Sequence, residues 1–387
     1  WDASDQIPMR TVTNGTLDRF GQVDPSLGGA SSRYSLSAQW DRAGARSVQQ
    51  VQLFGIASTL DLYSNFTYFL ENEYAGDQFN QREGRTTLGL NATHKQPLSA
   101  GGVEHLFTLG LQHRSDLVDD IGLHRTRDRV RTGTIRQDDV TTGLYLEMES
   151  RWRPRLRTVL GVRGDAYSFD VRSVLAANSG TRSAGIASPK ASLIIVPTSN
   201  SELYLSGGLG FHSNDARGTV ISVDPTTGES AQRVNPLVRS KGAELGLRVS
   251  PNSQWRSTVA LWALALDSEL LFVGDGGTTE PTDGSRRSGI TFANYYRPIA
   301  QLSLDADVSF ARARLRDVAP DADHIPGALE RVVAAGITWS SAGGGPFASL
   351  RVRHFGAYPL IETNAVRAAA TTLVNAASGM TVGGVRV

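Results

Sequence analysis

Apolar and polar residues alternate one by one along most of this chain, a period of two that predicts β-strands rather than helices. The clearest stretch runs from about Gln49 to Leu70. Phe54, Ile56, Leu60, Leu62, Phe66, Tyr68 and Leu70 fall on its even positions, and Asp61, Tyr63, Asn65 and Thr67 on its odd ones. Read as one strand, with the even positions as the apolar face, it is about three times longer than strands usually are in soluble proteins. Leu302 to Phe310, Ala243 to Val249 and Leu144 to Met148 repeat the pattern. About fifteen strands are predicted, near 32–40, 49–70, 84–94, 103–115, 139–152, 155–171, 186–196, 201–211, 239–249, 253–267, 286–296, 299–314, 329–341, 346–355 and 371–380. The stretch at 253–267 is the weakest, because Ala260, Trp262 and Leu264 make its second face apolar as well.

The predicted connections alternate between short and long. Short ones lie at Asp41–Ala45, around Pro97, at Arg153-Pro154, Pro197–Asn200, Ser250–Asn252, Arg297-Pro298 and Ala342–Gly345. Long ones fall at about 71–84, 116–138, 172–185, 212–238, 268–285, 315–328 and 356–370. With every second loop long, the long ones must share one end of the sheet, the layout of a transmembrane β-barrel. Phe54 and Phe66, roughly 40 Å apart along the strand, are expected near the two edges of an apolar band about 25 Å tall. A half-buried sheet in a soluble sandwich or propeller also alternates.

Several strings resemble the barrel of TonB-dependent outer-membrane receptors. They are Asp61-Leu62-Tyr63-Ser64-Asn65-Phe66, Gly76-Asp77-Gln78-Phe79, Ser188-Pro189-Lys190, Glu202-Leu203-Tyr204-Leu205, and Gly210-Phe211-His212-Ser213-Asn214-Asp215-Ala216-Arg217-Gly218. Further along come Ser240-Lys241-Gly242-Ala243-Glu244-Leu245-Gly246, Asp267-Ser268-Glu269-Leu270, Ile325-Pro326-Gly327-Ala328-Leu329 and Asn375-Ala376. Their order and spacing carry the likeness over nearly the whole chain. The resemblance implies an all-β, antiparallel transmembrane barrel of 22 strands, filled by a plug and energised by a TonB complex. About fifteen strands make residues 1–387 a partial barrel domain, expected to lack the plug and the final strands, since bacterial barrels close on an even count. The opening on Trp1 and the last residues after Gly383-Gly384 agree with that expectation.

Composition narrows the chemistry. The 387 residues carry 39 basic and 38 acidic side chains, which gives no reason to expect a nucleic-acid partner. No cysteine is present, so disulfides, thiolate metal sites and cysteine nucleophiles are excluded. The longest apolar run, Val259 to Leu266, is too short for a transmembrane helix. The seven histidines (94, 105, 113, 124, 212, 324 and 354) show no HExxH or His-x-His spacing, so no metal site is predicted. Gly180-Thr181-Arg182-Ser183-Ala184-Gly185 has one residue too many for a nucleophile elbow, and no Walker loop occurs. No enzyme and no cofactor are expected. Calcium is chemically possible in Gly274–Glu280 and Asp224–Gly228 but a plain turn is the simpler reading; Asp119-Asp120 and Asp138-Asp139 read as solvated loop charges.

The remaining signal is the polar strand face. Asp61, Tyr63, Asn65, Glu147, Glu149, Arg151, Arg163, Asp165, Glu244, Arg248, Asp305 and Asp307 are expected to line a lumen, chiefly pairing with one another or with a plug. The expectation is a non-enzymatic outer-membrane receptor and transporter of a scarce solute, with outer-membrane lipid around it. Ligand capture is expected at loops 116–138, 212–238 and 268–285. Two alternatives stand beside it, a passive porin or structural barrel and a soluble all-β binding or hydrolytic module.

Overall fold

The computed structural model describes residues 1–387 except 3–6, 71, 75, 128–129, 132–135, 225–227, 274–277, 383–384 and 387. Fifteen long strands follow one another in sequence order and each pairs antiparallel with the next. They are β1 (Gly28–Ala43), β2 (Val48–Ser64), β3 (Phe79–Ala100), β4 (Val103–Arg127), β5 (Arg136–Arg153), β6 (Leu156–Arg172), β7 (Gly180–Thr198) and β8 (Ser201–Ser213). Then come β9 (Leu237–Asn252), β10 (Trp255–Leu266), β11 (Ser285–Ile299), β12 (Leu302–Leu315), β13 (Arg331–Ser340), β14 (Phe347–Phe355) and β15 (Thr371–Gly379). The sheet is open: among the described residues β15 has no strand on its outer edge, and β1 has there only a bridge from Trp1-Asp2 to Gly28-Gly29. All fifteen predicted strands are present, and only their limits move.

The short connections gather at one end and the long ones at the other. Pro97, expected in a turn, lies inside β3 opposite Leu106. Pairing with β2 stops at Lys95, so the missing N–H of Pro97 leaves no ladder bond unmade. The turn is instead Gly101-Gly102, both at positive φ. At the other end the expected loop at 116–138 is mostly strand, since β4 continues to Arg127 and β5 begins at Arg136. Asp119 and the pair Asp138-Asp139 therefore stand in strands, not in a loop. The segment at 268–285 likewise contains a short ribbon, Glu269–Val273 against Thr278–Thr282. Of the calcium candidates, residues 225–227 and 274–277 lie outside the described residues.

Register separates the two faces. One carries Leu109/Leu146, Leu193/Leu205, Leu205/Leu245, Leu245/Leu261 and Ile290/Phe310 as directly opposed pairs. Most of these side chains remain exposed, although they are apolar. Five large aromatics stand on this face near the short-turn end: Trp40, Trp152, Trp255, Tyr296 and Trp339. Trp255 and Tyr296 touch edge-on, 6.3 Å between centroids. Such a ring of amphipathic aromatics marks a membrane interface.

The reading of 49–70 as one strand is corrected in two respects. β2 ends at Ser64, and Phe66 lies beyond it, against Phe79 at 5.3 Å. Its faces are also inverted. Val51, Leu53 and Ala57 oppose Trp40, Ala38 and Tyr34 on the apolar face, whereas Phe54 and Ile56 oppose Ser37 and Ser35. Phe54 can lie on the polar face because Gly89 is directly across from it; a Cβ there would come within 2.0 Å of the ring. The same device recurs at Tyr145 over Gly110, Tyr204 over Gly246 and Trp262 over Gly289. Trp262 over Gly289 also explains why 253–267 looked apolar on both sides.

The wall has one seam. β7 and β8 pair only as far as Lys190 opposite Gly208. Val196 donates to the Arg155 carbonyl on the β6 side, so by strand alternation the position of Pro189 turns its nitrogen toward β8. Proline has no N–H to give, and the ladder stops there. Arg239 of β9 then reaches across to the Ala187 carbonyl at 2.6 Å.

Candidate lumenal surface

The polar face is a sheet of paired charges. Near the short-turn end an alternating chain runs Arg151–Glu149–Arg157–Glu202–Arg248, with N···O distances of 3.5, 3.6, 3.3 and 3.0 Å. Higher up, Lys190 meets Glu147 at 2.5 Å and the Tyr204 hydroxyl donates to Glu244 at 2.6 Å. Arg163 binds Asp165 at 2.6 Å and Gln112 at 2.5 Å. Asp116 is held by Arg114 at 2.6 Å and by the Thr87 hydroxyl at 2.6 Å. Arg151–Glu149, Arg163–Asp165 and Arg114–Asp116 are neighbours on one face of a single strand, the other pairs reach across strands, and each cross-strand pair contributes about 0.2–1 kcal/mol.

Glu147, Glu149, Arg163, Asp165, Glu244, Arg248, Asp305 and Asp307 all share this polar face. Asp61, Tyr63 and Asn65 do not. Asp61 has the apolar-face parity at the long-loop end of β2, where it accepts from Asn80 at 2.6 Å. Tyr63 is buried on the same side. Asn65 lies past the strand and is buried, its carbonyl accepting from the Tyr68 amide at 2.8 Å and its amide donating to Asp24 at 3.3 Å. The inverted register of β2 accounts for the first two, and the early strand end for the third.

Two neighbouring rungs behave differently. Asp305 and Arg351 meet at 2.8 Å across Gly336, where a Cβ would press on both. Asp307 and Arg353 have the same relation across Ala334, yet neither forms a hydrogen bond or ion pair with a described residue. The alanine methyl stands where the glycine leaves room. Sequence reading missed Arg353, together with Arg157, Lys190, Glu202 and Arg351. Their parity with Glu147 and Asp305 becomes visible only once neighbouring strands are in register.

The long-loop end folds onto this face. After β8, helix α2 (Ala216–Val220) is capped by Asp215, whose carboxylate accepts from the Arg217 amide at 2.9 Å. Ala216 and Val220 pack on Phe169 and Val171 of β6, which have polar-face parity. The loop after β12 does the same, with Ile325 on Ala313 and Leu315. Before β1, a segment containing helix α1 (Met9–Thr13) leads to Asp24, which binds Ser26, Asn65 and Gln78. Burial pushes the Asp24 carboxyl up, but the hydrogen bonds from Ser26, Asn65 and Gln78 outweigh it and hold it below the usual carboxylate value. Among the described residues no cluster of three metal-ligating side chains occurs.

A family model described as TonB dependent receptor-like, beta-barrel, matches residues 3–385. Among solved structures, the ferric yersiniabactin uptake receptor FyuA from Yersinia pestis is similar, at 14% identity and a TM-score of 0.69 over 91% of this chain and 55% of that one. The ferric citrate transporter FecA in its unliganded form gives 12% and 0.72 over 96% and 57%. The ferric-catecholate import receptor Fiu from E. coli K12 gives 13% and 0.71 over 95% and 61%. The chain thus spans between about half and two thirds of the length of each. Among curated proteins none matches by sequence. At these identities the structural likeness establishes the fold alone, a large antiparallel barrel wall.

Proposed function

Since the chain belongs to the TonB-dependent receptor-like β-barrel family, we propose that it forms the wall of an outer-membrane receptor that takes up a scarce solute under TonB energisation. The observation that supports this best is the division of faces: an apolar face ending in an aromatic girdle, and an opposite face of paired charges. Hydrocarbon suits the first and a wet passage the second. No bond in the solute is made or broken; the lumenal charges hold a polar plug or guide a polar cargo past it. Asp307 and Arg353, which have no partner among the described residues, are the first candidates for such a contact. The loops after β8 and β12 lean over the lumen and are placed to meet solute first.

Iron chelates are the solutes to test first, because the similar structures include receptors for them. The test is uptake of radiolabelled ferric citrate, ferric catecholate and ferric yersiniabactin by cells whose only receptor is the full-length protein. Accumulation that disappears when TonB is deleted supports the proposal. Accumulation that is equal with and without TonB would convert the protein into a passive channel.

A further inference from the structure

The seam in the wall is more than a missing ladder bond. β8 stays paired to β9 as far as Ser213 opposite Leu237, but it leaves β7 after Gly208. The break falls in Ser206-Gly207-Gly208-Leu209-Gly210, where the glycines leave the backbone free to bend. Phe211 shows where the end of β8 goes. By alternation with Leu203 and Leu205 it belongs to the apolar face. Its ring nevertheless stands edge-on to Tyr167, 5.8 Å between centroids, and Tyr167 shares the polar face of β6 with Arg163 and Asp165. In the sheet β7 lies between those two strands, so the contact requires the end of β8 to sit behind β7, on the lumenal side.

This tucked position has a latch and a load. The latch is Arg239, which stands opposite Phe211 on β9 and donates to the Ala187 carbonyl of β7 at 2.6 Å. It occupies an acceptor that a ladder partner would otherwise take. The load is α2, which follows directly after β8 and packs on Phe169 and Val171. Asn178, in the connection before β7, holds the same loop: its side chain donates to the Val223 carbonyl at 2.8 Å and accepts from the Ser222 and Val223 amides at 3.0 Å. The end of β8 and the loop it carries therefore narrow the lumen at its outer end. Beside 184–186 of β7 a cleft of about 340 Å³ opens, bounded by 235–239, Asp267 and Ser268.

Continuing the existing register would set Phe211 opposite Ala187, His212 opposite Ile186 and Ser213 opposite Gly185. Ala187 and Gly185 share the parity of Pro189, so theirs are the backbone groups turned toward β8. The Phe211 ring would then face lipid, as its place in the alternation demands. We infer that residues 209–213 are a hinged gate in the barrel wall. In the tucked position they narrow the lumen; in a zipped position they complete the β7 ladder and draw α2 off Phe169 and Val171. Pro189 withholds one hydrogen bond from the zipped state, which keeps the two states close in free energy. Arg239 and the Phe211 amide alternate on the Ala187 carbonyl. The inference rests on the lumenal reading of the polar face proposed above.

The full-length protein carrying Ile186→Cys and His212→Cys tests it, and these 387 residues contain no cysteine of their own to compete. Only in the zipped register do the two positions face each other as a non-hydrogen-bonded pair, the spacing a disulfide fits. Ser192→Cys with Ser206→Cys, opposed in both states, is the control. Under mild oxidation of folded, heat-modifiable barrels the control should cross-link fully, and the zipped pair at a rate proportional to its population. Pro189→Ala supplies the missing N–H and should raise that rate about threefold to tenfold, the effect of one hydrogen bond. Arg239→Gln, which removes the latch, should raise it too. Once the zipped disulfide has formed, amide exchange should slow at Phe211 and Ser213 and accelerate over Ala216–Val220, and reduction should reverse both changes. A control that cross-links while the zipped pair does not, even with Pro189→Ala, overturns the gate. So does a zipped disulfide that leaves exchange in α2 unchanged, because the strand would then move without lifting the lid. Neither readout involves TonB or solute, so the gate stands or falls separately from the transport reading.

Discussion

The two ends of the sheet's outer rim solve one electrostatic problem in opposite ways. On β2 and β3, Asp61 lies directly opposite Arg82, so that unlike charges face each other across the rung, and its carboxylate accepts from Asn80 at 2.6 Å. On β11 and β12 the opposed residues are Arg286 and Arg314; Arg314 turns to Asp323 at 3.3 Å, and Arg286 has no partner among the described residues. Along β5 to β7 the corresponding outer positions are hydroxyls and small residues such as Thr142, Ser168 and Ser183. The difference teaches that a barrel wall of uniform backbone can set unlike charges face to face in one sector and like charges in another, where a loop carboxylate meets one of them. Side-chain choice at one level of the rim is enough.

The largest way to break the comparison is to remove the apolar band that both sectors share. Leu146→Arg on β5 and Leu245→Arg on β9 should each cost about 2–4 kcal/mol of folding free energy, read from urea-dependent refolding into phosphatidylcholine bilayers. A much smaller loss would mean that this face does not meet hydrocarbon. Next come the lumenal aromatics. Gly289→Ala should cost about 1–3 kcal/mol, since its Cβ would meet both the Trp262 ring at 2.5 Å and the immovable Phe310 carbonyl oxygen at 2.4 Å. Gly110→Ala should cost less, because only the swinging ring of Tyr145 stands in its way. Equal losses in the same refolding assay would show that the Phe310 carbonyl adds nothing to the clash with the ring.

The first sector also has a pH-sensitive clamp. The Asp24 carboxyl is lowered from its ordinary 3.8 in the folded chain, so its contribution is complete above that value and is lost as pH falls through the lowered one. Hydrogen exchange of residues 65–78 should therefore accelerate only in acid, and Asp24→Asn should reproduce part of the loss at neutral pH, about 1 kcal/mol. Unchanged exchange in that variant would remove the clamp. The smallest effect sharpens the comparison most. In zwitterionic micelles Asp61→Arg should destabilise and Arg286→Asp should stabilise, each by about 0.2–1 kcal/mol and each less at high salt. Shifts of the same sign would mean that cross-strand charge does not distinguish the sectors.

Much of this wall was legible in the alternation. All fifteen strands follow from it, and so does the polar-face parity of Glu147, Arg163, Glu244 and Asp305. β2 is where the reading failed, because an aromatic looks lipid-facing until the glycine opposite is known. Phe54 needs Gly89, thirty-five residues away, to be comfortable in the lumen. Lengths failed at the outer ends for a related reason: strands continue past the membrane for as long as a neighbour offers hydrogen bonds, whatever the hydropathy of the segment.

What the sequence determined by itself was a period, a count of strands and the end at which long connections gather, because pleating forces neighbouring side chains to opposite sides. Which side faced lipid on β2, that Pro189 opens a seam later spanned by Arg239, and that two arginines stand face to face were decided only by register. A strand's face is a local property, but its partners are set by the whole sheet, and charge and packing act between partners.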